Sequence, residues 1–284
     1  MSLNLNLNRV TVICVTFESA RLVPALACTL KRFAHVIVVD NASSDDTAAR
    51  IGSAAPHATV IRNDRNLGFG AANNLALRSV RTEYALLLNP DCDIDEANLE
   101  ILVATADRFD RAGLIAPQAY NGTRPQISYN NAYFEPIARF PYRVPDGVTC
   151  AKFLIACCLL VRVAAFEGRF FDERFFLYCE DDDLCLETFL RGYECIIEPA
   201  ARVQHVGGGS SSKSLRVEYI KGFHRAFSRR MLVRKHVGPV ADLKLRVRNL
   251  ALAPFALLAY GLSLNTAALA NWAGRIAQAM RSAR

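Results

Sequence analysis

Three observations predict an α/β protein with a doubly wound, mostly parallel sheet. Short apolar runs recur through the first 120 residues, and they are continuous rather than alternating, as strands covered on both faces are. Each run is followed by a helix-compatible stretch. Acidic residues collect just past the ends of the runs, where open α/β sheets place their ligands.

The elements follow in order. Val10–Thr16 is a β-branched first strand, and a helical pattern runs from about Ala20 to Arg32. Val36–Val39 is the second strand; the stretch Asp40-Asn41-Ala42-Ser43-Ser44-Asp45-Asp46-Thr47 after it reads as a loop into a helix N-cap. Thr59–Arg62 is a short third strand, and Asn66-Leu67-Gly68-Phe69-Gly70 leads into a helix over 71–79. Tyr84–Leu88 is the fourth strand, stopped by Pro90, which has no N–H for a sheet ladder. A helix over 96–111 and a short strand over 113–117 come next. Residues 121–149 are rich in Pro, Tyr and Asn without a period, a length typical of a functional lid. Beyond them lie an apolar run (153–161), an aromatic segment (170–176), a helix through Leu190 closed by Gly192, a strand over 194–198, the segment Val203–Val206 and a glycine-serine run from Gly207 to Ser212.

The tail differs from the body. From Lys213 onward 14 Lys and Arg stand against 2 Asp and Glu, whereas the whole chain has 34 against 27, so a mildly acidic body (1–212) carries a strongly basic helical region (213–284). Between Arg248 and Arg275 there is no charged residue. That stretch reaches the length of a bilayer span, but Pro254, Asn265 and Asn271 interrupt it, which favours a segment lying in the membrane interface over a clean span. A docked helical hairpin is the alternative. The nine cysteines show no CxxC pairs or Cys/His metal spacing, and Met1–Asn8 lacks the features of a signal peptide; together these predict a reducing, cytoplasmic setting.

Several residues suggest chemistry. Asp91 and Asp93 are two carboxylates one residue apart, suited either to a hard divalent ion shared with a phosphate or to a solvated acidic turn. Asp40 suits a base or ribose, or else an Asx turn. Asn66–Gly70 offers backbone amides at a helix start, without the glycine spacing of a dinucleotide fingerprint. Glu180–Asp183 are four acids at a helix start, more than a helix dipole uses, so one of them is a candidate general base. His205 is a candidate metal ligand or a structural histidine.

The combination resembles the family 2 inverting glycosyltransferases of GT-A fold, most closely their bacterial rhamnosyltransferase-like branch. The matching pieces run in order over about residues 10–212: Val15-Thr16-Phe17, Val38–Asp45, Asn66–Asn73, Leu87–Asp91, Phe175–Leu186 and His205–Gly208. The resemblance implies that Thr16, Phe17, Asp40, Asn66, Gly68, Phe69, Asn73 and Asp91 bind the nucleotide-sugar. It implies that Asp91, Asp93 and His205 hold Mg2+ or Mn2+, and that Asp181, supported by Glu180, is the catalytic base. It further implies a nucleotide-sugar donor, dTDP-L-rhamnose ahead of a UDP-sugar. The basic, apolar tail fits a lipid-linked saccharide acceptor on a polyprenyl diphosphate at the inner face of the plasma membrane. Gly207–Lys213 is either a contact for that diphosphate or a flexible linker, and no stacking-aromatic or groove-reading motif points to a nucleic-acid partner. Glu18 stands where Asn is frequent in the family. Two other readings are a sugar nucleotidyltransferase, which would carry a glycine- and lysine-rich loop that Thr16–Pro24 lacks, and a non-catalytic nucleotide-sugar-binding scaffold.

Overall fold

The computed structural model describes residues 7–131, 142–207 and 214–281. The chain divides into two compact units. The first holds residues 1–172 and 181–210; the second holds 173–180 and 211–284. The segment 173–180 thus groups with the C-terminal region, a partition invisible in composition.

The first unit is built on one mixed sheet. Strands β1 (Val10–Thr16), β2 (His35–Asp40), β3 (Thr59–Arg62) and β4 (Tyr84–Leu88) run parallel, with β1 at their centre. The sheet continues through β5 (Cys92–Asp93), β6 (Ala112–Asn121), β7 (Arg124–Pro125), β9 (Thr149–Ala151), β11 (Cys158–Arg162) and β12 (Glu194–His205), while β8 (Tyr129–Asn130) and β10 (Phe153–Leu154) pair separately. The strand order of the main path is β3-β2-β1-β4-β11-β6-β12-β5. Strand β11 is antiparallel to both neighbours and β12 is parallel to β6.

Side-chain alternation explains why the strands read as continuously apolar. Val12, Cys14, Val38, Leu86 and Leu88 face one layer with α1 (Val23–Leu30), α2 (Thr47–Ala54) and α4 (Glu96–Arg108). Ile13, Val39, Ala85 and Leu87 face the other with α3 (Phe69–Leu77) and α5 (Glu180–Leu190). Both faces are covered, so neither needs polar residues.

Three sequence expectations are corrected here. The strand expected over 113–117 is twice as long, because β12 and β11 pair along its two edges. The apolar run 153–161 is two strands, since the amides of Lys152 and Ile155 bond to Asn130 and Ser128 and hold β10 on β8. The segment 121–149 holds β7, β8 and the start of β9; the rest of the expected lid, 132–141, lies outside the described residues, as does 208–213.

The second unit contains α6 (Leu215–His236), α7 (Pro239–Leu262) and α8 (Thr266–Met280). The uncharged stretch before Arg275 is broken at 263–265, where Leu264 takes φ 53° and the Asn265 side chain accepts the Ala268 amide at 3.0 Å to start α8. Among the described residues no helix is long and apolar enough to cross a membrane. Arg230 and Asp242, each 6% exposed, form a two-pronged pair at 2.6 and 3.2 Å that fastens α6 to α7.

Helices α6 and α8 touch backbone to backbone. A Cβ on Gly274 would meet the Tyr219 carbonyl oxygen at 2.1 Å, and one on Gly222 would meet that of Asn271 at 1.9 Å. Ala at position 274 gains about 1 kcal/mol of helix propensity. No rotamer change relieves a clash with main chain, so the helices must part. Gly274→Val, which gains little propensity, is therefore expected to lower stability by about 3 kcal/mol. Trp272, the single tryptophan, lies in α8, so its fluorescence during urea unfolding reports the change directly.

Candidate active site

The site is built where β1, β2 and β4 end. The register pairs Thr16 with Asp40 and Asp40 with Arg62. Asp40 is fully buried. Its carboxylate accepts from the Ser43 hydroxyl at 2.6 Å, from the Ser43 amide at 3.2 Å and from Thr16 Oγ1 at 3.4 Å, and Arg62 Nε lies 3.7 Å away. Phe17, immediately after β1, is 42% exposed.

Asn41, which the sequence reading passed over, organises the next loop. Its Nδ2 donates to Asn66 Oδ1 at 2.9 Å and to the Gly68 carbonyl at 3.3 Å, while its Oδ1 accepts from Asn63 Nδ2 and the Leu67 amide, both at 3.0 Å. Asn66 Oδ1 also accepts the Gly68 amide at 2.9 Å. Gly68 sits at φ 86°, which only glycine adopts freely, and begins α3. Asn73 is buried and donates to the Phe69 carbonyl at 3.0 Å, and the Phe69 ring meets Phe171 edge-on. The side chains of Asn66 and Asn73 therefore shape the loop and α3. Glu18 also sits in the left-handed region, φ 50°, where Asn is the easier choice; its carboxylate compensates by accepting the Ser44 amide and hydroxyl at 2.8 and 2.9 Å.

Asp91 and His205 come together. The last residues of β12 pair with β5, setting His205 opposite Cys92, and this brings His205 Nε2 to 3.7 Å from Asp91 Oδ1. Gln126 fixes the imidazole. Its Nε2 donates to the His205 carbonyl at 2.9 Å, which turns its Oε1 to accept from Nδ1 at 2.8 Å. Nδ1 thus donates to Gln126 and Nε2 is the nitrogen that faces Asp91. A hydrogen bond with Cys157, against burial, and then the Cys157 and Asp91 charges raise the His205 pKa above its ordinary value. Cys157 also faces this ring; a hydrogen bond from the Cys92 thiol, then one from His205, pull its thiol below the ordinary range against the effect of burial.

Asp93 goes elsewhere. In the two-residue β5, Cys92 turns inward and Asp93 outward, where Thr29 Oγ1 and Arg32 Nη1 of the α1 region reach its Oδ1 at 2.7 and 2.6 Å. The structure gathers Asp91 and His205 but holds Asp93 on this other pair.

Glu180 opens α5 and is buried; the next residue, Asp181, is half-buried. Burial, then the neighbouring Asp182 charge, raise the Asp181 carboxyl to about 7, while amides including that of Ala156 oppose the shift. Ala156 adjoins Cys157, whose carbonyl accepts the Asn89 amide at 2.8 Å. One short segment thus ties Asp181 to the strand end that carries Asp91. The two residues before Glu180, Tyr178 and Cys179, hold φ of 71° and 62°, strain of a kind that concentrates at functional sites.

A mixed sheet with acidic residues at the ends of β2 and β4 is the GT-A arrangement, and the solved structures agree in fold. The chain superposes on a Pyrobaculum calidifontis mannosyltransferase solved with GDP-Man and Mn2+ at a TM-score of 0.60 and 16% identity, covering 96% of this chain and 87% of that one. Against S. aureus TarS the TM-score is 0.59 at 15% identity, covering 84% of this chain and 41% of TarS, so the chain spans less than half of that protein. The sequence profile described as glycosyl transferase family 2 matches residues 10–170, and the chain belongs to that family. Among curated relatives, the N-acetylglucosaminyl-diphospho-decaprenol L-rhamnosyltransferase of Mycobacterium tuberculosis (strain CDC 1551 / Oshkosh) is 25% identical over 68% of this chain and 75% of its own length. The low-salt glycan biosynthesis hexosyltransferase Agl10 of Haloferax volcanii is 24% identical over 63% of this chain and 61% of its own length.

Proposed function

We propose that this family 2 enzyme is a metal-dependent inverting transferase that moves L-rhamnose from dTDP-L-rhamnose to a polyprenyl-diphosphate-linked saccharide during cell-surface polysaccharide synthesis. The observation that carries the chemistry is Asp181, a carboxyl held near 7 beside the strand end that bears Asp91. The mycobacterial relative's name supports the sugar and the acceptor class. A UDP-sugar donor is the second reading, favoured by a TarS structure solved with UDP.

The residues divide the work. Phe17 meets the nucleoside, Thr16 and Asp40, both fully buried, hold the ends of β1 and β2 that receive it, and Asn66, Gly68, Phe69 and Asn73 shape the wall beside it. Asp91 offers a carboxylate oxygen that suits Mn2+ or Mg2+, and His205 an imidazole nitrogen that Mn2+ accepts more readily than Mg2+. A divalent ion bound there supplies positive charge for the departing diphosphate. Asp181 accepts the proton of the acceptor hydroxyl, which displaces the diphosphate from the opposite face of the anomeric carbon. One displacement inverts that carbon, and no covalent enzyme intermediate is needed. Glu180 supports the base through its place at the start of α5. Since Gln126 holds the Nδ1 side of His205, Gln126→Leu is expected to weaken Mn2+ activation by about 10- to 100-fold with little change in kcat at saturating metal, read from a Mn2+ titration of initial rates.

The tail supports a location on the inner face of the plasma membrane. Along α7, Val240, Leu243, Val247, Phe255, Leu258 and Leu262 are exposed at helical spacing, and Lys244 and Arg248 beside them are exposed too. Only Asp242 and Ala253 of its 24 residues are buried. Such a face suits an anionic interface. Phe255→Glu with Leu258→Glu is expected to abolish co-flotation with phosphatidylglycerol vesicles while leaving unit folding intact by circular dichroism; unchanged flotation would count against the assignment.

The reading as a whole is tested with a donor panel (dTDP-L-rhamnose, UDP-glucose, UDP-N-acetylglucosamine, GDP-mannose) offered with Mn2+ and a short-chain polyprenyl-diphosphate N-acetylglucosamine acceptor. Rhamnose transfer above all other donors is the expected result. Transfer of a UDP-sugar instead selects the second reading.

A further inference from the structure

The site described above leaves two thiols unused. Cys92 and Cys157 are 3% and 6% exposed, and their sulphurs and a ring nitrogen of His205 all lie within 4.8 Å of one another. The three residues come from β5, the residue before β11, and the end of β12. Their separation along the chain is why no metal spacing is visible in the sequence.

Two sulphurs and an imidazole in this triangle match a thiophilic ion in tetrahedral geometry, with bonds of about 2.3 Å to sulphur and about 2.0 Å to nitrogen. Hard Mg2+ and Mn2+ take oxygen in preference. Asp91 Oδ1, 3.7 Å from His205 Nε2, stands ready as a fourth donor. Gln126 occupies Nδ1, so His205 has one lone pair to give and cannot serve two ions at once.

We propose that Cys92, Cys157 and His205 form a site for a thiophilic divalent cation of the Zn2+ class, which shares His205 with the diphosphate-metal site and blocks transfer when filled. The binding stands on the triangle alone; the inhibition rests on the role given to Asp91 and His205 above. Each thiol gives its proton to solvent as the ion binds, and no electrons move.

The test uses the reduced full chain stripped with EDTA. Co2+ serves as the spectroscopic probe, and Zn2+ is titrated against a chromogenic chelator. Wild type is expected to take up one Co2+ with a sulphur-to-cobalt charge-transfer band that Zn2+ displaces. The C92S/C157S double variant is expected to lose the band and to bind Zn2+ at least about 100-fold more weakly. Its Mn2+-dependent transfer should persist and resist Zn2+, whereas Zn2+ inhibits wild type in competition with Mn2+. Cobalt uptake without the band, or unchanged Zn2+ affinity in the double variant, overturns the proposal. If the double variant does not fold, the single variants Cys92→Ser and Cys157→Ser decide: each should weaken the cobalt band and Zn2+ affinity, whereas Cys28→Ser, which removes an exposed thiol outside the triangle, should change neither. A band and affinity unchanged in both single variants overturn it equally. A cobalt band with transfer insensitive to Zn2+ overturns the sharing of His205. A cobalt band with no transfer under any metal overturns the functional reading and upholds the site.

Discussion

Asp181→Asn is expected to lower kcat about a thousandfold while the donor still binds, because amide replaces carboxylate at almost the same size and removes the proton acceptor. The wild-type carboxyl is raised to about 7, chiefly by burial. A base works when deprotonated, so kcat/KM of wild type should fall with unit slope as pH drops below about 7 and level off above it. The variant should lose that acid limb altogether. Nucleotide binding by isothermal titration separates this outcome from misfolding. A variant with wild-type turnover, or one that keeps the acid limb, places the base elsewhere.

The second large effect concerns Asp91. Asp91→Ala is expected to cost about 100-fold or more in kcat/KM and to abolish activation by Mn2+, since the charge opposite the departing diphosphate loses its carboxylate anchor. Asp93→Asn makes the informative contrast. Its carboxylate is bonded to Thr29 and Arg32, and the pair is partly exposed, with 55% of the Asp93 side chain open to solvent. Breaking it should cost no more than about 1 kcal/mol of stability and leave Mn2+ activation near wild type. Equal loss in the two variants would favour the paired-carboxylate reading, in which Asp91 and Asp93 both hold the ion.

Local pattern and long-range pairing explain which parts were legible. Strand β3 was read to its observed bounds, Thr59–Arg62, because a β-branched run between turn residues carries its own limits. The antiparallel direction of β11 was not legible, since it is decided by β4 and β6, distant in the chain. The same holds for Asp91 and Asp93. Spacing presents them as a pair, and only the pairing of β5 with β12 turns Cys92 inward and Asp93 out toward Arg32. Gln126 and Asn41 were missed for different reasons. Gln126 lies in a stretch without period, and its role exists only where β12 passes. Asn41 sat inside a quoted motif, but its four hydrogen bonds to residues 63–68 needed the fold to be seen. In the tail, charge counting suggested a possible span, whereas Asn265 caps a new helix and divides the stretch.

The most direct test of the account is the anomeric configuration of the product formed from dTDP-L-rhamnose, Mn2+ and a polyprenyl-diphosphate N-acetylglucosamine acceptor, assigned by NMR. The account predicts a rhamnosylated acceptor whose new bond has the configuration opposite to the donor's, formed by wild type and lost both on chelation and in Asp181→Asn. A product that retains the donor's configuration, or that forms undiminished without a divalent ion, would contradict it.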